Sequence, residues 1–184
     1  MTPTPILVTL RGNSASGKST VAHRLQRALP RGRVAVVGQD PVRRDLLWEH
    51  DTGHGDTISL LEAMVDHCLQ RGRTVIIEGI FKTERYRDMH ERMVARHNGP
   101  SLVYYLDVSL PETLRRHAQK HIAATVTNQE VASWYVARDL LGVPQEVILA
   151  EATSENEIVA RVLADLAALG EPGDSERAPT RNAP

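Results

Sequence analysis

Eight residues near the start of the chain, GNSASGKS at positions 12–19, tightly restrict the structure around them. The apolar run before them, 6–10, has the length of a buried strand, and an amphipathic helical pattern follows at about 17–29. Glycines at both ends of the G-x-x-x-x-G-K-S pattern permit a tight turn and close approach of backbone N–H groups to an anion. The segment therefore predicts a strand, a phosphate-binding loop and a helix in succession.

The same loop predicts how a nucleoside triphosphate and magnesium would be bound. Lys18 can reach the β- and γ-phosphates, and the Ser19 hydroxyl is a ligand for magnesium. A plain Gly/Ser-rich turn is the structural alternative, which the flanking strand and helix disfavour. No N-K-x-D motif for guanine is present, so a GTPase is not expected; ATP is the expected nucleotide and GTP the alternative. The predicted nucleotide-binding residues are Gly12, Asn13, Ser14, Ala15, Ser16, Gly17, Lys18, Ser19 and Thr20.

Five short apolar runs alternate with longer helical patterns along the chain. The runs are too short for independent helices and mostly continuous, as in parallel strands that are buried on both faces. This alternation predicts a three-layer α/β sandwich around a five-stranded parallel sheet. The phosphate-binding loop resembles that of P-loop NTPases, and this resemblance implies the strand order 2-3-1-4-5. The predicted strands are 6–10, 33–37, 74–77, 102–106 and 146–149, and the predicted helices are 17–29, 57–70, 83–97, 111–120, 129–141 and 154–169.

Length and composition predict one domain at residues 1–169 and a disordered tail at 170–184. The 184-residue chain has a formal net charge of −1, which disfavours nucleic acid or an anionic membrane as a partner. No apolar run approaches the roughly 18 residues of a membrane span, and no signal-peptide pattern is present. We therefore expect a cytoplasmic protein, either a monomer or a homodimer, with Cys68 packed in the core.

The second predicted strand leads into QDPVRR, which places Asp40 and Arg43 just past its carboxyl end. Ligands bind at this edge of open parallel sheets. A carboxylate at Asp40 can accept the proton of an attacking hydroxyl, and Arg43 or Arg44 can bind an anionic acceptor or the transferring phosphate. The structural alternative is that Asp40 caps the helix that begins at Pro41.

Glu78 directly follows the third predicted strand, which lies beside the first strand in this topology. It is therefore predicted to face Ser19 and the magnesium ion, in the position of a Walker-B carboxylate. Contact with the acceptor and a purely structural role at the strand end are the alternatives.

A basic helix after the fourth strand leads into a weakly patterned segment, and we expect the region at about 115–135 to be a lid over the phosphates. Arg116 and Lys120 are spaced i, i+4 and can face the same way. Such cations would stabilise charge on the γ-phosphate, whereas a solvated basic helix face is the alternative. Asp107, at the end of the fourth strand, is expected to cap or brace this helix.

The motifs GNSASGKST, QDPVRR, VIIEG and DVSLPETLRR together resemble the P-loop kinases that include phage polynucleotide kinase, chloramphenicol phosphotransferase and zeta toxins. More closely, they resemble small bacterial P-loop kinases labelled AAA-family ATPases, over about residues 5–165. This resemblance implies that Asp40 activates the acceptor hydroxyl, that Arg43 is its companion three residues later, and that Glu78 is the acidic residue after the third strand. With the lid, the predicted catalytic set is Lys18, Asp40, Arg43, Arg116 and Lys120.

These patterns predict an ATP-dependent phosphotransferase acting on a hydroxyl of a small molecule such as a nucleoside, sugar or antibiotic. A polynucleotide or nucleotide end kinase, and a nucleotide-dependent binding module without transfer, are the alternatives. The segment LLWEHDTGHGDT is the expected wall of the acceptor site. Trp48, Trp134 and Tyr135 are expected either to stack on an acceptor ring or to pack in the core. Four histidines could contact phosphate or the acceptor, but as isolated loop or surface residues they are expected to be solvated: His50, His54, His117 and His121.

Overall fold

The computed structural model describes residues 4–119 and 125–171. A π-helical turn, Pro41–Leu46, lies between the second strand and the second α-helix. The remaining elements are β1 (Leu7–Gly12), α1 (Lys18–Ala28), β2 (Val34–Gly38), α2 (Asp56–Gln70), β3 (Thr74–Gly79), α3 (Thr83–Arg96), β4 (Ser101–Asp107), α4 (Leu110–His117), α5 (Asn128–Trp134), β5 (Glu146–Ala150) and α6 (Glu155–Ala168).

The five strands form one parallel sheet in the order β2-β3-β1-β4-β5, which confirms the predicted fold class and topology. Strand β1 is central and buried along its whole length. On β3, Glu78 is level with Leu10 of β1 on one side and with Gly38 of β2 on the other. The carboxyl ends of these three strands therefore meet at one edge, where open parallel sheets bind ligands.

Two apolar cores lie on the two faces of the sheet because successive side chains of β1 point in opposite directions. Val8 and Leu10 pack in a cluster with residues of α1 and α6. Leu7 packs in the other cluster, with residues of α2 and α3. This arrangement is the predicted three-layer sandwich. Among the helices that the structure describes, none is both long and apolar enough to cross a membrane.

Two helices are shorter than their sequence patterns predicted. The pattern at 129–141 predicted a long helix, but α5 ends at Trp134. The chain turns away there because the Asn13 side chain accepts the backbone N–H of Val136 at 3.0 Å and donates to its carbonyl at 2.8 Å. Helix α4 ends at His117, and Lys120 lies outside the described residues.

The carboxyl-terminal boundary differs from the expected one at residue 169. Glu171 is buried, and its carboxylate accepts hydrogen bonds from the Arg33 guanidinium and the Thr74 hydroxyl. A buried carboxylate is stable only with such partners. The packed part of the chain therefore reaches at least Glu171, and the rest of the predicted tail, 172–184, lies outside the described residues.

His90, on α3, is a buried histidine behind the sheet edge. Burial, and to a smaller extent the positive charge of Arg11, lower the pKa of His90 to about 4, although Glu146 opposes this shift. An unfolded chain binds a proton at this histidine below about pH 6.5, whereas the folded chain does not. Protonation of this histidine in the unfolded chain therefore lowers the free energy of unfolding progressively as the pH falls from about 6.5 towards 4. Above about pH 6.5 the histidine is neutral in both states and has little effect on stability.

We expect the free energy of unfolding to be about 2 kcal/mol lower at pH 5 than at pH 7 because of this histidine alone. Urea unfolding at the two pH values, on the wild type and on His90→Gln, measures it. The variant should lose about 2 kcal/mol less than the wild type over the same interval. Equal losses in the two proteins would show that His90 is not the titrating group.

Candidate active site

The phosphate-binding loop between β1 and α1 is held in a strained, tight conformation. Gly12 has a φ of +143°, and a Cβ atom there would lie 2.6 Å from the Leu106 carbonyl oxygen. Ala15 also has a positive φ, +56°, which is uncommon for a residue with a side chain. Only glycine fits at position 12, and the loop can wrap closely around an anion.

The ammonium group of Lys18 is directed into this loop. Its Nζ donates to the Asn13 carbonyl at 2.7 Å and to the Ser16 hydroxyl at 3.1 Å. The lysine is also largely buried. A buried cation at the phosphate-binding loop, next to the N-terminus of α1, provides a strong site for a polyphosphate.

A cavity of about 400 Å³, here called the P-loop cavity, opens beside the loop. Its walls include Ser16 and Thr20 of the loop and first helix, Arg116 of α4, and the turn after β5 with Thr153 and Ser154. Ser154 is the N-cap of α6 and forms a capping box with Glu157. The cavity has the size of a small-molecule site.

Arg116 reaches the P-loop, whereas its neighbour Arg115 is exposed to solvent. The Arg116 guanidinium lies 3.4 Å from the Ser16 carbonyl oxygen and donates to Glu112 at 2.6 Å. Hydrogen bonds from Arg115 and then Arg116 lower the pKa of Glu112 to about 2. Glu112 therefore stays ionised at neutral pH and orients Arg116 towards the loop.

The structure brings Ser19 and Glu78 together at the edge of the sheet. The Ser19 hydroxyl donates to Glu78 Oε1 at 3.0 Å. Only 7% of Glu78 is exposed, and no arginine, lysine or histidine pairs with it among the described residues. A buried carboxylate without a cationic partner is electrostatically costly, so the position favours a bound cation.

Asp40 lies just past the end of β2, at the start of the π-helical turn. Its Oδ1 accepts from Arg43 at 2.9 Å and from Arg44 at 3.1 Å, and about half of the side chain is exposed. It makes no capping hydrogen bond to the turn, so the capping role weighed from the sequence is not the one observed. π-Helical turns are rare in proteins, and those that occur are often found at functional sites.

A second cavity of about 420 Å³, here called the basic cavity, lies next to this turn. Four cationic side chains line it together with one carboxylate, Asp51. The guanidinium of Arg44 is stacked 5.8 Å from the centroid of the Trp134 ring. The cations are Arg43, Arg44, Lys82 and Arg85.

Several predicted neighbours of the site have other roles. Asp107 does not cap α4, because Ser109 does so, and Asp107 instead lies 3.9 Å from Arg138. His117 is buried and 2.8 Å from the Val126 carbonyl oxygen, so the expectation that it is solvated was wrong. Trp48 is 90% exposed and is therefore not a core residue.

Sequence reasoning missed the cations that follow β3. Lys82 and Arg85 line the basic cavity. The one sequence feature that indicated a place at the site was their position just past the carboxyl end of a strand. Lys82 is also one of three lysines in the chain. Arg11 was missed as well: it is 1% exposed and joins β1 to Glu146, Phe81 and Thr83.

A family model described as an AAA domain matches residues 7–141, well over half of the chain. Among curated proteins, no significant match is found. Similar solved structures include the Mycobacterium tuberculosis APS kinase CysC in complex with AMPPNP and APS, at 21% identity and a TM-score of 0.69, covering 90% of this chain and 99% of that one. A gluconokinase from Sinorhizobium meliloti 1021 is 19% identical with a TM-score of 0.63, covering 92% of this chain and 95% of that one.

A structure of a larger assembly is also similar in fold. A chain of the Pnkp1/Rnl/Hen1 complex is 21% identical with a TM-score of 0.53, covering 63% of this chain and 40% of that one. Together these similarities confirm the P-loop kinase fold that the sequence motifs implied.

Proposed function

The chain belongs to this AAA-domain family, and we propose that it transfers the γ-phosphoryl group of ATP to a hydroxyl of a small molecule. One observation carries the proposal: the P-loop cavity and the basic cavity lie at the same edge of the sheet. Asp40 is bound to two arginines that line the basic cavity. The fold neighbours named as APS kinase and gluconokinase support the same activity.

The triphosphate would lie in the loop, with its β- and γ-phosphates on Lys18 and the backbone N–H groups of residues 12–20. The nucleoside would occupy the P-loop cavity, against the turn after β5. Arg116 would contact the γ-phosphate, because its guanidinium already lies at the loop. GTP is the alternative nucleotide.

Ser19 and Glu78 would hold magnesium. Among the described residues, no group of three or more histidine, cysteine, aspartate or glutamate side chains forms a metal cage. One hydroxyl and one buried carboxylate suit magnesium, which takes one or two protein ligands and completes its shell with phosphates and water. Bound magnesium would supply positive charge for the β- and γ-phosphates.

Asp40 would accept the proton of the acceptor hydroxyl as its oxygen attacks the γ-phosphorus. The new O–P bond forms as the bond to the β-phosphate oxygen breaks, and ADP leaves with that oxygen. Phosphoryl transfer depends mainly on positioning and charge stabilisation. Arg43 and Arg44 hold the Asp40 carboxylate in place, and Arg116 would stabilise charge on the transferred group.

The first test is ADP release with magnesium and ATP across nucleosides, sugars, sugar acids, phosphorylated small molecules, antibiotics and oligonucleotides with a free 5′-hydroxyl. One acceptor class should raise ADP release well above the rate in water, and mass spectrometry should find the phosphorylated acceptor. A Lys18→Met sample purified in parallel reports any contaminating kinase. Tight ATP binding without stimulation by any acceptor would instead support a binding module.

Replacing Glu78 by glutamine is expected to weaken magnesium-dependent nucleotide binding. Glutamine keeps the hydrogen bond to Ser19 but removes the charge, so the magnesium concentration for half-maximal binding should rise about 10- to 100-fold. Titrating magnesium into protein with a fluorescent ATP analogue measures it. Glu91→Gln, an exposed site on α3, is the charge-matched control. An unchanged magnesium requirement in Glu78→Gln would exclude the carboxylate from the metal site.

A further inference from the structure

The charges of the basic cavity do not balance. Its four cationic side chains face one lining carboxylate, Asp51, which is bound to Arg85. Two more carboxylates touch these cations from outside the lining: Asp40 pairs with the two arginines of the π-helical turn, and Glu84 lies 3.3 Å from Arg85. Lys82 has no hydrogen-bond or ion-pair partner for its ammonium among the described residues. The cavity therefore keeps a net positive charge, carried by Lys82.

Strained backbone presents Lys82 to this cavity. Phe81, just before it, has a φ of +44°, a conformation that residues with side chains rarely adopt. The Phe81 carbonyl accepts a hydrogen bond from the buried Arg11 guanidinium at 2.8 Å. Strain of this kind persists only where surrounding contacts enforce it, and it concentrates at functional sites. The local structure therefore holds the Lys82 ammonium at the cavity wall.

The two arginines are also held in fixed positions. Arg44 lies against the face of Trp134, which fixes its guanidinium and occupies the ring face. Arg43 donates to the Glu49 carbonyl at 3.1 Å and to Asp40, yet its Nε is buried without a partner within the part of the chain that the structure describes. A buried donor without an acceptor is unfavourable. An oxyanion in the basic cavity would compensate the excess positive charge and could accept hydrogen bonds from these guanidinium groups.

We propose that the acceptor is an alcohol that carries an oxyanion, a phosphate, sulfate or carboxylate group, and that Lys82, Arg44 and Arg43 bind this group in the basic cavity. This inference rests on the proposed function, because it names the acceptor class of the same site. The cavity volume of about 420 Å³ fits a small molecule. Asp40, bound to both arginines, then lies beside the bound acceptor, where its hydroxyl can be activated.

Inorganic sulfate tests the anion site without knowledge of the acceptor. The phosphate-binding loop is first saturated with magnesium and AMPPNP, so that sulfate cannot bind there, and sulfate is then titrated by calorimetry. We expect one millimolar-range site in the wild type, weakened about 10-fold or more in Lys82→Met and retained in Lys82→Arg. Arg31→Met removes an exposed cation near the opposite end of β2 and should bind sulfate like the wild type.

Two results would overturn the anion site: no sulfate binding to the nucleotide-saturated wild type, or equal binding by Lys82→Met and Arg31→Met. The acceptor itself is tested with matched pairs in the ADP-release assay: a sugar acid or sugar phosphate against its parent sugar, and a nucleoside monophosphate against its nucleoside. The charged member of one pair should have a kcat/KM about 100-fold higher, and Lys82→Met should lower it mainly through KM.

The matched pairs also show whether the anionic group of the acceptor is a phosphate or a carboxylate. Preference for a neutral member would refute the inference and leave the kinase proposal intact. Sulfate binding that depends on Lys82, with no phosphorylated product from any acceptor, would refute the kinase proposal and leave the anion site intact.

Discussion

Asp40→Asn is expected to reduce phosphoryl transfer by about 10²- to 10⁴-fold while ATP affinity stays within about twofold of the wild type. Asparagine keeps an oxygen that can accept from Arg43 and Arg44, so the turn should keep its geometry. It cannot take a proton from the acceptor hydroxyl. ATP binds through the P-loop, which does not include this side chain. The loss should therefore appear in kcat with the acceptor that stimulates ADP release.

Asp45→Asn is the matched control, because Asp45 is an exposed carboxylate in the same π-helical turn. It removes the same charge from the same element and should retain nearly full activity. ATP affinity is measured separately with a fluorescent analogue. If Asp40→Asn keeps more than about a tenth of the wild-type kcat, Asp40 is not a proton acceptor of the expected strength. If Asp45→Asn loses as much activity, the charge of the whole turn, rather than one carboxylate, is responsible.

The fold and half of the candidate site could be predicted because they follow from local patterns. A phosphate loop between a strand and a helix, together with regular alternation, leaves few topologies. Once β3 is the neighbour of β1, the positions of Ser19 and Glu78 bring them to one edge, and their hydrogen bond is a direct consequence. Asp40 follows by the same reasoning from the end of β2. Their catalytic and metal-binding roles stay predictions.

The basic cavity could not be predicted in the same way. Its cations come from the π-helical turn and from the start of α3, and the ring that supports Arg44 comes from α5. No periodicity links segments so distant in sequence. The shortened α5 has the same cause: the Asn13 amide takes both backbone groups of Val136, a pairing that only the tertiary structure creates. The helical pattern of the sequence predicted an end at residue 141, seven residues beyond the observed end at Trp134.

Arg11→Met is expected to lower the free energy of unfolding by about 3–5 kcal/mol. Arg11 lies in a strand that otherwise looks apolar, and its guanidinium donates to Glu146, Phe81 and Thr83, each at 2.8 Å. Burial lowers the pKa of Arg11, and the charge of Glu146 opposes that shift. Methionine fills similar space, but it leaves the carboxylate of Glu146 buried without its cation. A buried charge without its partner lowers the free energy of unfolding far more than the loss of an ion pair on the surface does.

Urea unfolding of three variants tests this account. Arg24→Met breaks an Arg–Glu pair of similar length, 2.7 Å, but on the surface, and should cost less than about 1 kcal/mol. The double variant Arg11→Met/Glu146→Gln also removes the unpaired carboxylate charge of Glu146. Its free energy of unfolding should be about 1–2 kcal/mol higher than that of Arg11→Met. If Arg11→Met costs no more than Arg24→Met, burial of the ion pair does not determine its effect. If the double variant recovers nothing, the loss arises instead from the bonds that hold Phe81 and Thr83, the contacts on which the position of Lys82 depends.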